Sequence, residues 1–483
     1  MVLTSEQLLE DLTEAQRAAA KHVDGPLLII AGAGSGKTRV ITRRVAHLIS
    51  LGIPASSILA ITFTNKAAGE MKQRVASVLG RPIYDFGRLE QRGSMICTFH
   101  SLCLRILRHY ATVVGLPANF TIYDSSDQTK VIKDALKTLE ISTTNFSPGT
   151  VHATISNAKN KLQSAEMFSQ AAGDFYSKNI ARIYSKYQQL LKTNNALDFD
   201  DLLLRAVFAF RDHPQVLAEL QERFQYILID EYQDTNHAQY MLAHALAAKH
   251  RNICVVGDPD QSIYAWRGAD IRNILEFERD YPDATVVKLE QNYRSTKTIL
   301  QIASGLISHN QQRKDKRLWT ENEQGEKATV YLCRDEHDEA EVIANRLQEM
   351  HEKESVDWNR MAIFYRINAL SRVMEDALRK KNLPYVMARG VEFYNRKVIK
   401  DVLAYLKVIA NPADEVSLTR IVNTPARGIG DASVKIMQNY GITNGLGIWG
   451  AMQQVEQITG LSTRAVKAVR LFVNVVNAWR GAA

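Results

Sequence analysis

Short apolar runs alternate with amphipathic stretches of helical length over the first 112 residues. The runs are "PLLIIA" (26–31), "ILAITFT" (58–64) and "SMICTFH" (94–100). They are apolar at consecutive positions rather than every second one, the pattern of strands covered on both faces in a parallel sheet. Two later runs, "YILID" (226–230) and "ICVVG" (253–257), have the same character, and "ATVVKLE" (284–290) is placed to close the sheet. Between the two groups, residues 113–196 carry no strong β run. They hold helical stretches such as "DQTKVIKDALKTLE" and read as a helical insertion. After residue 290 a second α/β pattern begins, with "ATVYLC" (328–333) and "RMAIFY" (360–365) as its apolar runs. From about 390 the chain turns helical again through "RKVIKDVLAYLKVIANP".

Composition narrows this picture only a little. A chain of 483 residues is long enough for about three domains. The formal charge of +8 permits a polyanionic partner without requiring one. Within 113–196, nine Lys/Arg stand against six Asp/Glu, a basic surface that is as often a solvated face as a binding one. Cys97, Cys103, Cys254 and Cys333 form no Cys-x-x-Cys pair and read as reduced residues. No apolar run approaches the roughly 20 residues of a membrane span, so a cytoplasmic protein is expected.

The chemistry starts with "AGAGSGKTRV", which follows the first apolar run and opens a helix. Ala31, Gly32, Ala33, Gly34, Ser35 and Gly36 are all small, so backbone N–H groups can converge on phosphate oxygens at the helix N-terminus. Lys37 then reaches the β- and γ-phosphates, and Thr38 offers a hydroxyl to Mg²⁺. Asp230 and Glu231 stand at the carboxyl end of another apolar strand, the edge where parallel sheets place ligands. Asp230 suits the Mg²⁺ shell, and Glu231 suits the orientation and deprotonation of an attacking water. The stretch "VVGDPDQSIYAWRGAD" (255–270) puts Gln261, Tyr264, Trp266 and Arg267 directly after a core run. These aromatics either fold back onto the core or present a surface for something flat and negatively charged.

Several stretches fall into one order: "LTEAQRAA" (12–19), "AGAGSGKTRV", "AITFTNKAAGEMKQRV" (60–75), "TFHSL" (98–102), "DFDDLL" (198–203), "DEYQDTN" (230–236), the 255–270 stretch, "LEQNYRS" (289–295) and "FYRINALSRVMEDAL" (364–378). Together they resemble superfamily 1A DNA helicases of the UvrD/Rep/PcrA type. The resemblance implies a P-loop NTPase with RecA-like parallel sheets and inserted helical subdomains. Residues 1–112 and 197–288 would form the first RecA-like domain, 113–196 its helical insertion, 289–390 the start of a second RecA-like domain, and 391–483 part of a second helical insertion. It implies ATP and Mg²⁺ as cofactors, and movement from 3′ to 5′ on single-stranded DNA with separation of duplex DNA, in repair or replication. Gln16 resembles the adenine-reading glutamine, Tyr293 the aromatic that stacks on the base, and Arg39 lies beside that pocket. Arg294 resembles an arginine reaching the γ-phosphate, and Gln261 the γ-phosphate sensor. Phe63, Asn65, Thr98, His100, Tyr264, Trp266, Arg267, Arg366 and Asn368 resemble contacts to the DNA strand. Taken alone, Gln16 reads as an exposed helix residue, and His100 as a capping or core histidine.

Two segments of the family, His-Ser-x-Lys-Gly-Leu-Glu and Val-x-x-Thr-Arg-Ala, are not found. The expectation is a piece of a longer protein with an incomplete second RecA-like domain. Two other readings stay beside the motor: a module that holds ATP and single-stranded DNA with little turnover, and a small-molecule kinase, which Glu231 and the aromatic loop argue against. A nuclease-associated subunit without helicase activity also remains.

Overall fold

The computed structural model describes residues 6–80, 82, 93–387 and 396–482. All six expected apolar runs of the first domain become strands of one sheet: β1 (Leu27–Ala31), β2 (Ile58–Thr62), β3 (Met95–Thr98), β6 (Tyr226–Ile229), β7 (Ile253–Gly257) and β8 (Thr285–Leu289). The order is β3-β2-β6-β7-β1-β8, and every pairing is parallel. The interior strands are buried along their whole length apart from the half-buried Tyr226 of β6, because side chains of both parities meet a core. Leu28, Ile30, Leu59, Ile61, Ile227 and Val255 face one cluster, and Leu27, Ile29, Ala60, Leu228 and Val256 face the other. Strand β8 sits at the edge and is largely exposed up to Leu289, which explains its mixed composition.

The region 113–196 is helical as expected, with helices Ser125–Thr138, Pro148–Asn160, Ala165–Ala171 and Phe175–Thr193. It also contains a feature the hydrophobic pattern did not indicate. Strand β4 (Thr121–Tyr123) pairs in parallel with β5 (Ala196–Asp198), tying the entry of the insertion to its exit. Three-residue strands are too short for a period-2 signal to stand out.

A buried ion cluster joins this insertion to the first domain. The Lys159 side chain is 0% exposed and meets Asp198 at 2.6 Å and Asp201 at 2.8 Å. Tyr187 Oη donates to Asp198 at 2.8 Å, and Gln188 Nε2 to Asp201 at 3.0 Å. Burial disfavours the Lys159 ammonium, but Asp198 and Asp201 outweigh it and hold its pKa above the usual lysine value. Burial and the neighbouring Asp201 push Asp198 up. Burial pushes Asp201 up, but Lys159, Arg205 and the Gln188 amide together outweigh it and hold its carboxyl low.

The chain forms two compact units, residues 1–325 with 401–483, and residues 326–400. Residues 289–325 therefore pack with the first sheet, although their sequence pattern grouped them with residues 326–390. The expected start of the second insertion near residue 391 lies outside the described residues. Residues 401–482 are mostly helical, and Val408, Leu418, Ile421, Met437, Phe472 and Val476 share a core of their own. They also dock on the first insertion. Asp414 Oδ1 accepts from Tyr123 Oη at 2.8 Å. Asn411 Nδ2 donates to Thr121 Oγ1 and to the Asn194 carbonyl, each at 3.0 Å. Val416 joins the hydrophobic core of the insertion.

The second unit carries the helices Glu336–Glu354 and Ser371–Lys380. A small core forms around Ala344, Leu378 and Leu383. The runs 328–333 and 360–365, expected as strands, pair with nothing among the described residues, and Val330, Leu332 and Phe364 are exposed. An apolar run becomes a strand only where a neighbour supplies the ladder. Among the described residues, no helix is long and apolar enough to cross a membrane.

Replacing Lys159 by Met leaves two buried carboxylates without their cation. Urea unfolding of Lys159→Met is expected to show a loss of about 3–5 kcal/mol, and a loss well below 1 kcal/mol would mean that water already screens the pair.

Candidate functional site

The phosphate-loop residues leave β1 and enter the helix Lys37–Ser50 through Gly36, whose φ is 90°. Only glycine takes this left-handed turn without strain. A Cβ on Gly36 would also lie 2.9 Å from Gln16 Nε2. Gln16 is 3% exposed, not the exposed helix residue it resembles in isolation. Its Nε2 donates to the Ser35 carbonyl at 2.9 Å, and its Oε1 accepts from Thr13 N–H at 3.3 Å. One amide thus closes the first helix and leans on the phosphate loop.

Lys37 reaches across the carboxyl edge of the sheet. Its ammonium donates to Glu231 Oε2 at 3.1 Å and to Gln261 Oε1 at 3.4 Å. Glu231 has a left-handed backbone, φ 52°, an uncommon conformation for a residue with a side chain. The turn Tyr232–Asp234 comes next and returns Gln233 beneath the site. Gln233 Nε2 donates to Glu231 Oε2 at 2.8 Å, and Gln233 Oε1 accepts from Asp258 N–H at 3.0 Å. Asp258 Oδ2 accepts from Gln261 Nε2 at 2.6 Å. Lys37, Glu231, Gln233, Asp258 and Gln261 therefore form one closed circuit across three loops. Gly257 makes room for it, since a Cβ there would lie 2.4 Å from Gln233 Oε1. Gln233 and Asp258 were not singled out from sequence. Each stands among the singled-out residues of its own stretch, "DEYQD" and "GDPDQ", but neither residue type by itself signals an internal brace.

Asp230 is nearly buried. Burial and then the charge of Glu231 push its carboxyl up to about 7. Burial and Glu231 likewise raise Asp234 to about 6. Such a site disfavours additional negative charge until a cation arrives. Among the described residues no group of three His, Cys, Asp or Glu could hold a metal. Magnesium commonly takes only one or two carboxylates and completes its shell with phosphates and water. A hydroxyl from Thr38 and the Asp230 carboxylate fit that donor set.

Tyr293 and Arg294 lie against the same loop. Tyr293 N–H donates to the Gly34 carbonyl at 3.0 Å, and Asn292 Nδ2 to the Ala33 carbonyl at 2.7 Å. Asn292, another residue not singled out, also accepts from Arg294 N–H at 2.8 Å and so fixes the turn that carries it. The Tyr293 ring stays about half exposed. Arg39 pairs with Asp11 at 2.5 Å.

The aromatics after Gln261 do not fold into the core. Trp266 is 68% exposed. Its ring centroid lies 6.3 Å from that of Tyr264, which lies 4.7 Å from that of Phe63. The Arg267 guanidinium sits 4.6 Å from the Trp266 ring centroid. Thr98 caps its helix through Ser101 N–H at 3.2 Å, and Ser101 Oγ reaches Asn65 Oδ1 at 3.4 Å. Next to Thr98, His100 meets Phe199 edge-on at 5.9 Å, and burial lowers its imidazole to about 4. His100 is therefore neutral at pH 7. Arg366 and Asn368 lie in the second unit, where both are exposed.

A phosphate loop, an acidic pair and a glutamine at the carboxyl edge of a parallel sheet define a P-loop nucleotide-binding site of the RecA-like class. The family model of the UvrD/REP helicase N-terminal domain matches residues 12–282, and that of the UvrD-like helicase C-terminal domain matches 287–458. The chain belongs to the UvrD/REP helicase family. It is 48% identical to the ATP-dependent DNA helicase PcrA of Bacillus subtilis, over 98% of this chain and 63% of that protein. The helicases of the same name from Staphylococcus epidermidis and Staphylococcus aureus are 48% and 47% identical, each over 97% of this chain and 63% of their own length. The chain thus spans a little under two thirds of the length of these relatives.

Because the folded Asp230 pKa lies above its unfolded value of 3.8, folding favours the protonated form. The cost of ionising Asp230 grows as pH rises from about 4 through about 7 and is complete above that. Asp230→Asn is therefore expected to raise the melting temperature of the nucleotide-free protein at pH 8. The gain, on the order of 2–4 kcal/mol, shrinks toward pH 5. An equal or lower melting temperature at pH 8 would contradict this electrostatic reading.

Proposed function

We propose that this chain binds Mg-ATP and single-stranded DNA as part of an ATP-driven motor that moves 3′ to 5′ along the strand and separates duplex DNA in the cytoplasm. The observation that carries the proposal is the loop 258–268. At one end Gln261 is bonded to Lys37 and to Asp258. A few residues later the exposed Trp266 ring stands beside the half-buried Tyr264 ring, with Arg267 next to them. A single short loop therefore links the phosphate-binding lysine to a stacking platform. Base stacking tolerates any sequence, as a translocating protein requires, and contributes about 1–3 kcal/mol per base.

In this reading Lys37 neutralises the phosphates and Glu231 orients and deprotonates the attacking water. Thr38 and Asp230 hold Mg²⁺, which would supply charge neutralisation on the phosphate oxygens. Gln16, Arg39 and Tyr293 hold the base. Gln261 senses the γ-phosphate, and Arg294 reaches the same group. Phe63, Asn65, Thr98 and His100 continue the strand path from Tyr264, and Arg366 with Asn368 are the contribution of residues 289–390, read as the start of a second RecA-like domain. The three relatives carry the name ATP-dependent DNA helicase, which favours the motor over a module that merely holds its ligands. It also disfavours the small-molecule kinase. The pathway, repair or replication, is proposed on family grounds alone.

The test is ATP hydrolysis with and without an oligo-dT strand. Glu231→Gln is expected to abolish strand-stimulated turnover while nucleotide binding persists. Trp266→Ala is expected to weaken strand binding by about 1–3 kcal/mol with nucleotide affinity kept. If Trp266→Ala lowered nucleotide affinity and left strand binding intact, the assignment of the loop would be wrong.

A further inference from the structure

The closed circuit around Lys37 has an anchor outside it. Asp258 and Asp260 flank the entry to the sensor turn, and their side chains are 3% and 8% exposed. Two carboxylates so close together in a dry site need cations. Lys316, its side chain 3% exposed, donates to Asp258 Oδ1 and, at 2.6 Å, to Asp260 Oδ2. Arg313 grips Asp260 with two bonds, Nε to Oδ1 and Nη2 to Oδ2, both 3.1 Å. The cluster is neutral, with two anions and two cations.

We infer that Lys316 is a positioning residue for Gln261, acting through Asp258; this rests on the reading of Gln261 as the γ-phosphate sensor. Each oxygen of Asp258 has a fixed task. Oδ1 takes Lys316 and the Asp260 N–H, and Oδ2 takes Gln261 Nε2. With its Nε2 held there, the Gln261 amide has one orientation left, and its Oε1 faces Lys37. Without Lys316, Asp258 loses the cation that fixes its Oδ1, and the amide loses its brace.

The strap that carries Lys316 also leans on the phosphate loop. Trp319 N–H donates to the Glu290 carbonyl at 3.1 Å, and the Trp319 carbonyl accepts from Asn292 N–H at 2.8 Å. Leu318 fills the space above Gly32, where a Cβ would lie 2.1 Å from its Cδ2. The strap thus touches the phosphate loop with Leu318 and, two residues earlier, Asp258 and Asp260 with Lys316. A shift of residues 290–320 would be felt at both.

The test uses the 483-residue chain and compares Mg²⁺-dependent affinity for ADP with that for a non-hydrolysable ATP analogue. That ratio reads γ-phosphate sensing without needing turnover. Gln261→Ala is expected to lower the preference for the triphosphate roughly tenfold, the scale of one hydrogen bond to a charged group. Lys316→Met is expected to lower it similarly, with ADP affinity within about twofold of the parent, twofold being less than the effect of a typical single hydrogen bond. The double variant is expected to lose no more than Gln261→Ala alone, and Lys316→Arg to restore most of the preference. Should Lys316→Met not fold, Lys316→Gln combined with Asp260→Asn keeps the cluster neutral while still freeing Asp258, and the same loss is expected. The inference is overturned if Lys316→Met weakens both nucleotides alike, or if its effect multiplies with that of Gln261→Ala. A Gln261 effect with no Lys316 effect refutes this inference alone. A parent chain that binds neither nucleotide, or a silent Gln261→Ala, refutes the assigned site and this inference with it.

Discussion

The Lys37 ammonium is the point on which the rest of the site is assembled. It is the one cation in a ring of five side chains otherwise built from two carboxylates and two amides, drawn from three loops at the carboxyl edge of one sheet. Strand order makes the ring possible. Strands β6, β7 and β1 are consecutive neighbours, so the loops that leave them open side by side. The acids are crowded in the resting state, as the raised Asp230 and Asp234 carboxyls record. A cation placed at this edge would relieve that crowding.

The loop after β7 is held at both of its ends. From Asp258 to Gly268 the chain takes two short turns, Pro259–Gln261 and Ala265–Arg267. The first is tied to the circuit. The second is tied by Phe63 packing against Tyr264. Only three residues, Ser262 to Tyr264, separate the two turns.

Much of this was legible before any coordinates. Strands buried on both faces leave unbroken apolar runs, and all six lie where the pattern put them. Small residues before Lys37 announce a phosphate loop because few other sequences fit that turn. Glu231 stood out by its place at the carboxyl end of an apolar run, whereas the roles of Gln261 and Trp266 came from the family resemblance and stay proposals. What stayed hidden were residues whose work is to hold other residues: Gln233, Asp258, Asn292 and Lys316. Each is an ordinary polar residue in an ordinary loop, and its importance comes from a partner far away in the chain. Lys159 stayed hidden for the same reason, since a lysine in a helix reads as solvated until its carboxylates are found. The strands β4 and β5 were missed because three residues carry no period. The runs 328–333 and 360–365 show the opposite failure, a strand pattern that meets no ladder among the described residues.

The docking of residues 411–416 on the first insertion has a consequence for how the chain is made. Val416 completes a hydrophobic core whose other members end at Ala196, 416 − 196 = 220 residues earlier. At about 5–20 residues per second, a ribosome needs roughly 10–45 s to deliver that last piece. During this interval Tyr123, Thr121 and the Asn194 carbonyl wait for Asp414 and Asn411. The insertion is thus a nascent domain with a vacancy that only the distal chain can fill, and its final consolidation comes late in synthesis although its sequence comes early.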